Sequence, residues 1–126
     1  MPLVRISLRQ GKPAGFGKRI GAVVYQTMVE TINVPVRDNF QIISEHDAYG
    51  LIYDPEYQNI LRTDEVVFIQ ITLNEGRTVE MKKTFYKTLA ERLNQELGLR
   101  MEDLLINLVE VKKENWSFGN GDAQYA

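Results

Sequence analysis

Apolar residues alternate at Val4, Ile6 and Leu8, and again at Ile69, Ile71 and Leu73, with polar or mixed residues between them. A period of two is that of a strand with one buried face. Behind each stretch the period changes. Phe16, Ile20, Val24, Met28 and Ile32 recur every four residues, as do Met81, Phe85, Leu89, Leu93 and Leu97, which lays one apolar stripe along each of two helices. An offset of 65 residues superposes the two series and sets LRQGKP (8–13) on LNEGRT (73–78), with Gly11 on Gly76 and Lys12 on Arg77. Farther on, Asp38 falls on Asp103 and Glu45 on Glu110, bracketing the apolar stretches FQIIS and LLINLV. Each half therefore reads strand, helix, strand.

A helix that joins two strands of one sheet makes a right-handed crossover between parallel strands. Two βαβ units in so short a chain must pool their strands. The expected fold is α+β: a four-stranded sheet with both helices on one face, in a ferredoxin-like arrangement. The expected organisation is a single domain of repeat 1 (about 2–46), a connecting segment (47–65), repeat 2 (about 66–111) and a tail (112–126). On the sheet face away from the helices the first strands offer Leu3, Arg5 and Ser7, and Phe68, Gln70 and Thr72. That mixture is too polar for a core and too apolar for water, so a subunit interface is the expected cover. The connecting segment carries Tyr49, Tyr53 and Tyr57, has no counterpart in the repeat, and is long enough to suggest function or an interface. The tail, NWSFGNGDAQYA, is expected to fold over something.

Composition narrows the chemistry. The chain has 126 residues, 44% hydrophobic and 25% charged, and a net charge of −2, typical of one globular domain. No Lys/Arg-rich run marks a nucleic-acid partner, and no apolar run approaches the ~18 residues of a membrane span. The cytoplasm is the expected compartment. With no cysteine and one histidine, His46, thiol catalysis, thiolate metal sites, a His cluster for zinc and a His-based triad are excluded. His46 reads as structural, and no cofactor is expected. Attention passes to the opening MPLVRISL, where Pro2 follows Met1 directly. Proline suits the first residue of a strand, yet loss of Met1 would also expose its secondary amine.

A duplicated βαβ module with Pro2 at its start, EGRT between strand and helix, and WSFGNG near its end resembles the tautomerase superfamily over nearly the whole chain. VPVRDNFQIISEH (34–46), FYK (85–87) and WSFGNGDA (116–123) are most similar to its malonate semialdehyde decarboxylase branch, while LNEGRTVEMKK (73–83) is equally similar to 4-oxalocrotonate tautomerase. The resemblance implies a homotrimer and a catalytic amino-terminal proline, matched by Pro2. As a neutral amine it would be a general base, and as a cation a general acid; burial and a neighbouring carboxylate push its basicity in opposite directions.

The same resemblance implies roles for four further residues, each with an ordinary reading beside it. Asp38 matches an aspartate near the proline, although Asp beside Arg37 ahead of a strand also favours a turn. Arg77 matches the arginine that holds the substrate carboxylate; a helix start favours an anion, and Lys12 at the repeat position supports a merely decorative role. Trp116 and Phe118 would form an apolar wall against a planar enol, or plug the core. Two departures matter. Glu75 stands where the decarboxylase branch has a second arginine, and Phe40 where 4-oxalocrotonate tautomerase has its other arginine, so a diacid is disfavoured. The expected partner is a small carboxylate substrate. The expected function is cofactor-free keto–enol tautomerisation of a small 2-keto acid. The alternatives are decarboxylation or hydration of a 3-oxo acid and a non-catalytic trimeric binding module.

Overall fold

A computed structural model describes residues 1–126. The strands are β1 (Leu3–Arg9), β2 (Phe40–His46), β3 (Val67–Asn74) and β4 (Leu104–Val111), and the helices α1 (Phe16–Thr31) and α2 (Val79–Leu97). They form one sheet in the order β2-β1-β3-β4. Each half is a complete unit, because β1 pairs parallel with β2 and β3 parallel with β4. The halves join antiparallel through β1 and β3, with Ile6 opposite Ile69.

The two periodicities meet in the core. Val4, Ile6 and Leu8 of β1 and Val67, Ile69, Ile71 and Leu73 of β3 are buried against the stripes Phe16 to Ile32 and Phe85 to Leu93. Each such side chain contributes roughly 1.5–3 kcal/mol by leaving water. α2 starts at Thr78, whose hydroxyl accepts the Met81 N–H at 3.1 Å, a side-chain N-cap. α1 owes its close seat on β2 to two glycines. A Cβ at Gly17 would lie 2.6 Å from Ile43, and one at Gly21 would lie 2.0 Å from the Gln41 amide. Gln41 instead donates to the Gly21 carbonyl at 2.8 Å.

On the other face Phe40, Ile42 and Leu105 remain 50%, 41% and 42% exposed beside the polar Arg5 and Gln70. No helix is long and apolar enough to cross a membrane. The strand directions decide where loops gather. The starts of β1 and β2 lie at the same end of the sheet as the finishes of β3 and β4, since Leu3 is level with Phe40 and Thr72, and Asn74 with Val111. Along that end, following the strand order, stand Asp38, Pro2, Arg77 and Trp116. The connecting segment closes the opposite end.

Candidate active site

Pro2 is buried at the start of β1, and the terminal amine ahead of it lies 3.5 Å from Asp38 Oδ2. While Met1 is attached, the Pro2 nitrogen is a peptide amide without basicity; removal of Met1 transfers the amine to Pro2. Asp38 is only 14% exposed, and its Oδ1 is buried with no hydrogen-bond partner. Such an orphan oxygen is costly to keep. A cavity of about 280 Å³ opens here, lined by Met1, Val36, Arg37, Asp38, Phe40, Phe118 and Tyr125. Its walls are largely apolar, and its size suits a small ligand.

Arg77 is held from behind. Its Nε donates to the Ile32 carbonyl at 2.9 Å and its Nη1 to the Asn74 carbonyl at 3.1 Å. Ile32 closes α1, so a cation there also complements the negative end of that helix. Arg77 thus has a structural duty that its position before α2 does not suggest, and the duty leaves Nη2 free. The guanidinium does not line the cavity of Asp38 and Phe118. The connection between them runs through Asn74.

Asn74 is the residue that sequence reasoning missed. It is buried at the end of β3, its carbonyl accepts Arg77, and its side-chain Oδ1 accepts the Trp116 indole N–H at 2.7 Å. Trp116 stacks on Phe118 with centroids 5.7 Å apart and planes 16° apart, and Phe118 meets Tyr125 edge-on at 4.9 Å. Gln124 secures the tail, accepting the Phe118 N–H and donating to the Gly119 carbonyl, each at 3.0 Å. The tail therefore folds over the end that holds Asp38. Asparagine at the close of a strand reads as a turn residue, and only the indole donor across 42 residues of sequence reveals its use.

Glu75 is exposed, and its backbone N–H donates to the Val111 carbonyl at 3.0 Å. Nearby, Lys82 Nζ contacts the Glu110 carboxylate at 2.6 Å. Lys82, with the Gly76 N–H and the Arg77 charge behind it, holds the Glu110 carboxyl below the usual carboxylate range. His46 lies at the opposite end, where its carbonyl accepts the Gln10 N–H at 2.8 Å. No cluster of three or more His, Asp or Glu side chains has metal-binding geometry. A larger hollow of about 550 Å³ runs between the helices; of its charged groups, Glu30 and Arg92 pair with each other and Glu96 is the third.

A family model described as a tautomerase enzyme matches residues 38–119, a span that includes Asp38, Arg77, Trp116 and Phe118 and stops short of Pro2. Two proteins of Bacillus subtilis (strain 168) are similar over almost their full lengths. One, named "Probable tautomerase YusQ", is 44% identical over 98% of each chain. The other, named "Probable tautomerase YrdN", is 36% identical over 99% of this chain and 96% of its own. Among solved structures, an FG41 malonate semialdehyde decarboxylase inhibited by 3-bromopropiolate superposes with a TM-score of 0.90 at 32% identity, covering 98% of this chain and 93% of that one. A fused 4-oxalocrotonate tautomerase described as a symmetric trimer has the same fold, with a TM-score of 0.78 at 22% identity over 98% of this chain and 97% of that one. On the strength of the family match and the full-length likeness to YusQ and YrdN, the chain belongs to the tautomerase family.

Proposed function

We propose that the protein ketonises the enol of a small 2-keto acid without a cofactor, using the amine of Pro2 once Met1 is removed. The observation that carries this reading is that the chain's terminal amine, which is that of Met1 here and passes to the adjoining Pro2 once Met1 is removed, faces a buried, otherwise unpartnered carboxylate in an apolar cavity. The neutral amine takes the enol hydroxyl proton as the carbonyl forms and returns a proton to the neighbouring carbon. Asp38 stabilises the ammonium that exists between the two transfers. Arg77, at the same end of the sheet though outside the cavity's lining, offers its free Nη2 to the substrate carboxylate, and Trp116 with Phe118 walls the enol from water. Glu75 and Phe40, which bring no positive charge, favour a single carboxylate and an apolar or aromatic remainder such as an arylpyruvate.

A second reading is favoured by Asp38 and by the likeness to malonate semialdehyde decarboxylase. Held as a cation by Asp38, the same amine would act as an acid in decarboxylation or hydration of a 3-oxo acid. The rate against pH separates the two, since a base must lose its proton and an acid must keep it. The apolar residues on the open sheet face support a homotrimer. The experiment that tests the main reading is ketonisation of phenylenolpyruvate, followed by ultraviolet absorbance, by protein whose intact mass shows Met1 removed and by protein that keeps it. Equal rates in the two forms would overturn it.

A further inference from the structure

The carboxylate that faces the amine has no side-chain partner in the fold. Asp38 Oδ1 is unpartnered, and Oδ2 has only the Met1 amine, one residue ahead of Pro2, at 3.5 Å. Its aim is therefore set by the backbone between α1 and β2. There the Asp38 N–H reaches back to the Pro35 carbonyl at 3.2 Å, closing a four-residue turn with Arg37 in third place. Arg37 has φ +71°, a conformation routine for glycine or asparagine at that turn position and unfavourable for a long side chain. An outside contact holds it there. The Arg37 N–H donates to the phenolic oxygen of Tyr25 at 2.8 Å. Tyr25 belongs to α1, between the buried Val24 and the buried Thr27 and Met28, so its hydroxyl stands on a rigid support.

We propose that Tyr25 is a positioning residue for Asp38: its hydroxyl pins the left-handed Arg37 turn and so aims the Asp38 carboxylate at the terminal amine. Tyr25 does not line the cavity, and it acts only through the Val36–Arg37 peptide. The inference rests on the reading that Asp38 serves the amine. Off the apolar stripe of α1, the tyrosine gives no sign of this in the sequence.

Tyr25→Phe keeps the ring and its packing and removes the acceptor. On phenylenolpyruvate, with Met1-free protein, kcat is expected to fall about three- to tenfold with KM within about twofold, because a hydrogen bond is lost and no substrate contact is. Arg37→Gly relieves the turn, since glycine takes positive φ freely. In that background the loss from Tyr25→Phe should shrink below about twofold. A readout independent of turnover is hydrogen exchange at the Arg37 amide, which should quicken in Tyr25→Phe while exchange in the core strands does not change. Unchanged exchange at Arg37 overturns the proposal, and so does an equal kcat loss with and without Arg37→Gly. Asp38→Asn separates the two levels. If Asp38→Asn is impaired while Tyr25→Phe matches wild type, the clamp fails and the amine–carboxylate reading stands. If Asp38→Asn also turns over like wild type, both fail.

Discussion

The 65-residue offset gives every residue of the candidate site a counterpart at the opposite end of the sheet, and the two ends differ in how completely their charges are matched. Asp38 corresponds to Asp103, Arg77 to Lys12, Asn74 to Arg9, Trp116 to Leu51, Phe118 to Tyr53 and Pro2 to Val67. Asp103 is fully buried and saturated: it accepts the Thr63 N–H and Thr63 hydroxyl, each at 2.7 Å, and Arg100 at 3.3 Å. Lys12 is paired with Glu65 and Arg9 with Asp64, while Arg9 also donates to the Leu51 carbonyl and lies over the Tyr53 ring. The connecting segment supplies most of these partners. At the other end Asp38 keeps an orphan oxygen, and Arg77 has backbone carbonyls but no carboxylate. One duplicated frame thus carries a satisfied end and an unsatisfied one, and it is the unsatisfied end to which the proposed function assigns the substrate.

The largest expected effect lies at the amine. Pro2→Ala keeps a basic terminus but alters its basicity, rigidity and solvation together, and general acid–base assistance is worth roughly 10²- to 10⁴-fold. Phenylenolpyruvate ketonisation should fall by at least the lower order, with circular dichroism unchanged. Retained rate in Pro2→Ala would place the chemistry elsewhere. Next comes the cation. Arg77→Ala should raise KM for the carboxylate substrate about tenfold or more, as befits a charge-assisted contact, whereas Lys12→Ala at the matching position should leave KM alone. Equal responses from the two would erase the distinction between the ends.

The repeat made the frame legible, because periods of two and four are written in the side chains that fill the core. Five candidate residues could be named from the resemblance, namely Pro2, Asp38, Arg77, Trp116 and Phe118, and of these the structure puts Asp38 and Phe118 in the lining of one cavity. What could not be read was the support behind them. Asn74 meets Trp116 only because β3 and β4 run parallel and end level, and Tyr25 meets Arg37 only because α1 crosses back over β2. Those contacts depend on the third dimension, and polar residues at strand ends or off a helix stripe show no period of their own. Within the connecting segment, Asp64 and Glu65 pair with Arg9 and Lys12, and Thr63 donates to Asp103 at the sister end.

The paired aspartates should respond in opposite directions. Asp103→Asn replaces an acceptor with an amide that faces the Thr63 donors, which leaves buried groups unsatisfied at a cost of about 1–3 kcal/mol. Chemical denaturation should report that loss, while the ketonisation rate per folded molecule is retained. Asp38→Asn removes a charge whose buried oxygen had no donor, so stability should be unchanged or raised. The rate, and its dependence on pH, should change instead. A stability loss at Asp38 with none at Asp103 would reverse the assignment of the two ends.

The smallest effect compares Glu110 with its repeat counterpart Glu45. Lys82 holds the Glu110 carboxyl below its ordinary value of 4.5, and Arg92 does the same for Glu30. A carboxyl lowered on folding stabilises the native state in its ionised form. That contribution is fully present above the ordinary value, declines as pH falls through the lowered one, and is absent below both. Both glutamates stand in open solvent, where screening keeps such pairs weak. The midpoint of urea unfolding should therefore drift down below pH 4.5 slightly less in Glu110→Gln than in wild type, and added salt should narrow the gap. Exposed Glu45 has no ion-pair partner at its own end of the sheet, so Glu45→Gln removes one carboxylate without breaking a pair and is the control for net charge. If Glu45→Gln flattened that profile as much as Glu110→Gln, the acid sensitivity would belong to net charge, and the Lys82 pair beside Arg77 would have no separate part in it.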